Sequence, residues 1–119
     1  MKIAFDIDGT LTIPAVNELA KFLIDNGAEV HVITGSLSND YSAVAAIKRE
    51  QHREKQLKLL GIVAEKVWIC AGVTTAEVGM KKAQICSNVG IDIIFEDSEE
   101  FIGPIRKLSK TLVLDVRNK

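Results

Sequence analysis

The sequence predicts an α/β fold, a three-layer α/β/α domain on a mainly parallel five-stranded sheet, with no cap domain. Three observations carry this expectation. Short apolar runs suited to strands alternate with longer segments of helical spacing, Gly27, Gly61 and Gly90 fall where helices must stop, and several apolar runs end abruptly in polar residues. The length of 119 residues, with 47% hydrophobic and 26% charged residues, suits one compact domain over residues 1–119 with a single core.

The first strand is the run Ile3-Ala4-Phe5, which breaks off at Asp6-Ile7-Asp8-Gly9-Thr10. Thr12 is placed to cap, and Pro14 to open, a first helix with Val16, Leu19, Phe22 and Leu23 on one face and Gly27 as its stop. A second strand over residues 29–34 finishes in Thr34-Gly35-Ser36. Ser38 or Asn39 can cap a long helical stretch that reaches Leu60 and stops at Gly61. Its middle, residues 48–56, has no apolar residue, so the helix either leaves the body or breaks in two. Residues 67–71 read as the third strand, 72–79 as a loop, and 81–89 as a helix burying Ala83, Ile85, Cys86 and Val89. The fourth strand, residues 91–95, ends in Glu96-Asp97-Ser98. The last helix, residues 99–108, carries acids in its first turn and Arg106 and Lys107 near its end, as the helix dipole favours, and Leu112-Val113-Leu114 supplies the fifth strand. Strands alternating with helices call for right-handed crossovers between parallel strands.

The net charge of −1 and the pI near 6.1 give no electrostatic basis for a nucleic-acid coat or a membrane-surface protein. Cys70 and Cys86 sit in apolar segments without metal-type spacing, which points to a reducing, cytoplasmic setting. The N-terminus has no signal-peptide pattern, and no apolar run approaches the roughly 20 residues of a membrane span.

Polar side chains at three strand ends can converge. Alternation puts Asp6 and Asp8 on one face of the first strand, Thr34 closes the second, and Glu96 and Asp97 close the fourth. In a parallel sheet these ends share one edge, where ligands collect. Each group alone has a plainer reading: Asp97 as a helix cap, Thr34-Gly35-Ser36 as a turn, Lys82 as a solvated charge. Together, three or four carboxylates on one edge repel one another, and a hard cation such as Mg²⁺ is the expected compensation.

On these residues the sequence resembles the haloacid dehalogenase-like (HAD) superfamily of phosphohydrolases. Phe5-Asp6-Ile7-Asp8-Gly9-Thr10-Leu11-Thr12 is similar to their first motif and Val32-Ile33-Thr34-Gly35-Ser36 to their second. A lysine before the fourth strand resembles the third, and Ile93-Ile94-Phe95-Glu96-Asp97-Ser98 the fourth. The motifs run in the family's order over residues 5–98. The resemblance implies a Rossmann-like, capless hydrolase, a Mg²⁺-dependent phosphatase that cleaves a phosphomonoester through an aspartyl-phosphate.

By that resemblance Asp6 is the nucleophile and Asp8 the general acid and base, exchanging protons near working pH. Mg²⁺ is held by Asp6, the main-chain carbonyl of Asp8 and Asp97, with Glu96 orienting metal-bound water. Thr34 and the amides around Gly35 hold the phosphate oxygens, with Gly9, Thr10 and Ser36 beside them. A lysine offsets the charge; Lys81 and Lys82 are both candidates, and spacing to Gly90 favours Lys82.

Only one helix fits between the first two motifs, and only one loop between the third strand and Lys81, so a cap domain has no place to insert. An open site implies a large phosphorylated substrate, such as a protein or a nucleic-acid end, or a small sugar phosphate covered by a neighbouring subunit of a homo-oligomer. Residues 48–58 hold five basic residues against two acids and read as a solvated helix face or a contact for an anionic partner. Tyr41 either lines the entrance or packs, His31 is structural, and Cys70 is assigned no catalysis. Two other classes stand beside this reading. A response-regulator receiver needs an aspartate at the end of the third strand, where Ile69-Cys70-Ala71 stands. A metal-binding regulatory or interaction module would keep the metal site with little turnover.

Overall fold

Strand order departs from chain order in a way that locates the site. The computed structural model of the chain describes residues 1–117. Strands β1 (Lys2–Phe5), β2 (Glu29–Leu37), β3 (Lys66–Gly72), β4 (Ile93–Glu96) and β5 (Leu112–Asp115) form one sheet in the order β3-β2-β1-β4-β5. Every pairing is parallel. The helices are α1 (Pro14–Asp25), α2 (Ala43–Leu60), α3 (Thr75–Val89) and α4 (Glu99–Leu108). This is the expected three-layer α/β architecture, and among the described residues no cap interrupts it. Nor is any described helix long and apolar enough to cross a membrane.

Alternation along β1 builds the layers. Ile3 and Phe5 join Val30, Val32, Ala20 and Leu57 in a core under α1 and α2. Ala4 joins Ile33, Val78, Cys86, Ile102 and Ile105 in a second core under α3 and α4. Strands buried on both faces read as nearly continuous apolar runs, as β1 does. Phe5 and Phe95 stack across the β1–β4 pair with ring centroids 4.6 Å apart. His31 is buried as a structural residue, accepting the Trp68 Nε1–H on Nδ1 at 3.1 Å and meeting Glu29 through Nε2 at 2.6 Å.

α1 leaves β1 toward one face of the sheet and α4 leaves β4 toward the other. Because β1 and β4 are neighbours, the chain parts at their carboxyl ends and opens a crevice, the place where such sheets bind ligands.

Several element boundaries differ from expectation for local reasons. β2 continues past Thr34 to Leu37 because β3 pairs with it as far as Gly72. Pro14 opens α1, but Thr12 accepts the Gly9 N–H through Oγ1 and is not its cap. Ser42, and neither Ser38 nor Asn39, caps α2, accepting from Ala45 N at 3.2 Å. α2 then runs unbroken through its apolar-free middle. α3 begins at Thr75 and not at Lys81, because the Thr74 hydroxyl accepts from Glu77 N and starts the helix early. Much of the stretch expected as a loop is therefore helix.

Candidate functional site

The crevice is assembled from the ends of β1, β2 and β4 and the buried side of α3. Beyond Phe5, Asp6 N donates to Phe95 O at 3.1 Å, carrying the β1–β4 pairing one residue further. The chain then makes a wide turn over Ile7–Leu11, with Asp8 extended and Gly9 at φ 72°. Glycine is required at this position on two counts. A side chain would be strained at that φ, and a Cβ would lie 2.0 Å from Asp97 Oδ2. The Asp97 carboxylate is thus seated against the Gly9 backbone, and carboxylate oxygens of Asp6, Glu96 and Asp97 lie within 4.8 Å of one another.

Lys82 falls on the buried stripe of α3 with Val78, Gly79, Ala83 and Cys86. Its Nζ donates to Glu96 Oε2 at 2.7 Å and to Asp6 Oδ1 at 3.1 Å, and stands 4.3 Å from the Phe101 ring centroid. Lys81, the other candidate, turns away to the Ala71 carbonyl and the Tyr41 ring. The second Glu96 oxygen accepts from Asp97 N and Ser98 N at 3.1 and 3.4 Å. Burial raises the pKa of Asp6 and of Glu96, and Lys82 offsets part of that rise for both. Burial works to lower the Lys82 pKa, but the charges of Asp6 and Glu96 outweigh it and the net direction is upward.

Three carboxylates around one buried ammonium leave an excess of negative charge. An all-oxygen donor set of that kind suits a hard divalent cation such as Mg²⁺, so the residues present fit the ion. Asp6 and Asp97 offer oxygens for it. Both oxygens of Glu96 already accept hydrogen bonds.

A cavity of about 250 Å³ opens over this cluster, bordered by Asp6, Asp8, Asp97, Thr34, Gly35 and Ser36. Gly35 is pressed against α3, where a Cβ would meet Val78 Cγ1 at 2.6 Å. Gly9 and Thr10, expected beside the phosphate, do not border the cavity. Gly9 backs Asp97, and Thr10 is fully buried with its Oγ1 unpaired among the described residues. Thr75 and Phe101 border the cavity without having been singled out in the sequence.

Asp8 is held from an unexpected direction. Arg53 Nη1 donates to Asp8 Oδ2 at 3.1 Å, and Gln56 Nε2 to Asp8 Oδ1 at 2.8 Å. Partial burial works to raise the Asp8 pKa, but these two hydrogen bonds and the Arg53 charge outweigh it and hold the carboxyl below the usual range. A signal for Arg53 was present in the sequence: it stands four residues before Leu57, on the same helix face.

No family model matches the sequence, and no curated protein matches it. Solved structures do. One is a universal stress protein in complex with cAMP, at 16% identity and a TM-score of 0.58, with 100% of this chain and 98% of that chain covered. Another is a protein from the universal stress protein family of Burkholderia pseudomallei, at 15% identity and a TM-score of 0.55, with 97% and 94% covered. These full-length matches correct the expectation of a haloacid dehalogenase-like phosphohydrolase. With it fall the enzyme reading as a phosphoric monoester hydrolase, the aspartyl-phosphate intermediate, and the roles of Asp6 as nucleophile and Asp8 as acid and base. The physical reason is that strand-end acids and a Thr-Gly turn fix where oxygens and amides stand on a parallel sheet, and leave open which chemistry the edge serves. The chain shares its fold with these two structures over at least 97% of its length.

Proposed function

We propose that the chain is a binding module that takes a phosphate-bearing small ligand, of the nucleotide class, together with a divalent cation such as Mg²⁺, in the crevice between β1 and β4. The observation that carries this reading is the Asp6, Glu96 and Asp97 cluster under a cavity that Asp6 and Asp97 border together with Thr34, Gly35 and Ser36 of β2. The cation would sit on Asp6 and Asp97 and neutralise both the carboxylates and the ligand's phosphate. Thr34, Ser36 and the backbone amides near Gly35 would bind the remaining phosphate oxygens, and Lys82 would stabilise the ionised Asp6. The cAMP held by one protein of the same fold supports a phosphate-bearing ligand of this kind.

The cavity is open, so a bulky ligand or a second copy of the chain would cover it. The two buried free thiols suit a reducing, cytoplasmic compartment.

Calorimetric titration tests the reading with Mg²⁺ first and then AMP, ATP, cAMP and a sugar phosphate in its presence. We expect at least one ligand to bind only with Mg²⁺, with affinity reduced about tenfold or more in Asp97→Asn and in Thr34→Val, the loss of a charge-assisted contact. Ligand binding that ignores both substitutions, or no binding of Mg²⁺, overturns it.

A further inference from the structure

α2 holds to the body of the protein in an unusual way. Of its 18 residues only Arg53 and Leu57 are buried. Its C-terminal end is fixed by Leu57 in the core, by Gly61 in the left-handed cap position, and by Asn17 Nδ2, which donates to Leu60 O at 3.1 Å. Its N-terminal half does not rest on the sheet. A cleft of about 300 Å³ separates Ala46, Arg49 and Glu50 from Val67, Ile69 and Ala71 of β3. Among the described residues, Arg49 bonds only back to the Asp40 carbonyl of the loop that leads into the helix.

Between the fixed end and the raised end stands the Arg53 guanidinium. Nη2 donates to the Gly35 carbonyl at 2.6 Å, and Nη1 is shared between Asp8 Oδ2 at 3.1 Å and Gln56 Oε1 at 2.8 Å. Gln56 Nε2 takes the other Asp8 oxygen. One helix therefore grips both oxygens of a carboxylate on the β1 turn and a carbonyl on the β2 end, two segments that both border the cavity.

We infer that Arg53 and Gln56 are positioning residues: together they strap α2 across the carboxyl edge of the sheet by clamping Asp8, and Arg53, through the Gly35 carbonyl, fixes the spacing of the β1 turn and the β2 end. Asp8 lends itself to this task because its side chain is 67% exposed and supports no packing, so its role is confined to what it bonds. Coupling of this kind is reciprocal, so removing Asp8 must loosen a helix some 45 residues away in sequence. The effect of the clamp on ligand affinity rests on the binding function proposed above; the docking of α2 does not.

Amide hydrogen exchange on the full chain, compared in wild type, Asp8→Ala, Gln56→Ala and Arg53→Lys, reads the strap directly. A charge-assisted pair predicts about tenfold faster exchange over residues 47–57 in Asp8→Ala, a smaller rise in Gln56→Ala, and unchanged protection at Ile33 and Ile94. Arg53→Lys keeps the charge, loses the fork, and falls between. Wild-type protection of α2 in Asp8→Ala overturns the inference, because a helix held by ordinary packing would not sense an exposed carboxylate on another loop. In parallel, Arg53→Lys is titrated with inorganic phosphate in Mg²⁺, where a several-fold loss with Mg²⁺ affinity unchanged is expected. Wild type that binds no phosphate counts against the proposed function alone, since the exchange data still decide the clamp.

Discussion

Lys82 Nζ stands 2.7 Å from Glu96 Oε2, and neither side chain is exposed to solvent. A fully buried ammonium is tolerated only where carboxylates meet it, and here Asp6 adds a second contact at 3.1 Å. The arrangement is unequal, with one cation against two buried acids and Asp97 close by. That imbalance connects the core of α3 to the electrostatic demand of the crevice.

Lys82→Met keeps the shape of the side chain and removes its charge. It should destabilise the fold by about 3–5 kcal/mol at pH 7, the usual result of leaving a buried ionised partner alone. The sign with pH follows from the carboxyls. Without Lys82 their folded pKa values rise further above the unfolded ones, so the stability they contribute is present at low pH and lost as pH rises. The deficit should therefore shrink from pH 7 to pH 5, and Lys82→Met/Glu96→Gln should recover part of it at pH 7. Urea midpoints at the two pH values check this; a Lys82→Met variant as stable as wild type at pH 7 refutes it.

Gly9→Ala and Gly27→Ala form a matched pair. Both glycines have positive φ, 72° and 84°, so both substitutions cost about 1 kcal/mol or somewhat more in backbone strain. Only at Gly9 does the new methyl meet Asp97, whereas nothing lies within 4 Å at Gly27. Gly9→Ala should thus lower divalent-cation affinity about tenfold or more, the effect of losing one ligand carboxylate, while Gly27→Ala leaves it unchanged. Titration with Mn²⁺ followed by electron paramagnetic resonance distinguishes them, and equal affinities would remove Asp97 from the proposed cation site.

The convergence of Asp6, Thr34, Glu96 and Asp97 was legible in the sequence because the carboxyl ends of parallel strands must share an edge. Lys82 was legible only as the better spaced of two lysines before Gly90, on a helix face that read as polar and solvated; its burial depends on Asp6 and Glu96, which meet it only in the folded chain. The start of α3 was missed because Thr74 caps a first turn whose residues read as loop. The Arg53 and Gln56 clamp was harder to see: the spacing of Arg53 to Leu57 puts it on the buried side of α2, but nothing in the sequence joins that helix to the exposed Asp8. Family-level chemistry was misread for a related reason: the motif residues describe the edge of a sheet, and a clamped Asp8 cannot be told from a free one without α2 in place.

Glycines of the α3–α4 contact separate helix propensity from packing. Gly79→Ala improves propensity by about 1 kcal/mol, yet its Cβ would lie 2.9 Å from the Glu100 carbonyl oxygen and 3.2 Å from Pro104. Neither neighbour is a flexible side-chain tip, so an overpacking cost of about 1–3 kcal/mol should win and the variant should be less stable. Gly103→Ala, in α4 with nothing but its chain neighbours within 4 Å of its Cβ, precedes Pro104, whose ring disfavours helical backbone at a residue that carries a Cβ, so its propensity gain should be largely cancelled and its stability should stay within about 0.5 kcal/mol of wild type. Thermal unfolding separates the two, and a stabilised Gly79→Ala would mean that α4 can slide away from α3.

Cys70 and Cys86 give the last prediction, on the alkaline side. Burial pushes both thiols up to about 11, with Lys82 offsetting part of the rise, while an unfolded thiol ionises near 8.5. For groups raised in this way the unfolded chain releases protons first. Their contribution to stability is whole below about pH 8.5 and is lost as pH climbs toward 11. Neither thiol should react with a disulfide reagent at pH 8 until the fold opens, so modification should follow the urea unfolding curve. Between pH 8 and pH 10 the urea midpoint should fall, and it should fall less in Cys70→Ala/Cys86→Ala, because the substituted chain has no thiolate to release on unfolding. An equal fall in both proteins would show that the two thiols are not its cause. Rapid labelling of native protein at pH 8 would show that the core between α3 and the sheet opens without global unfolding.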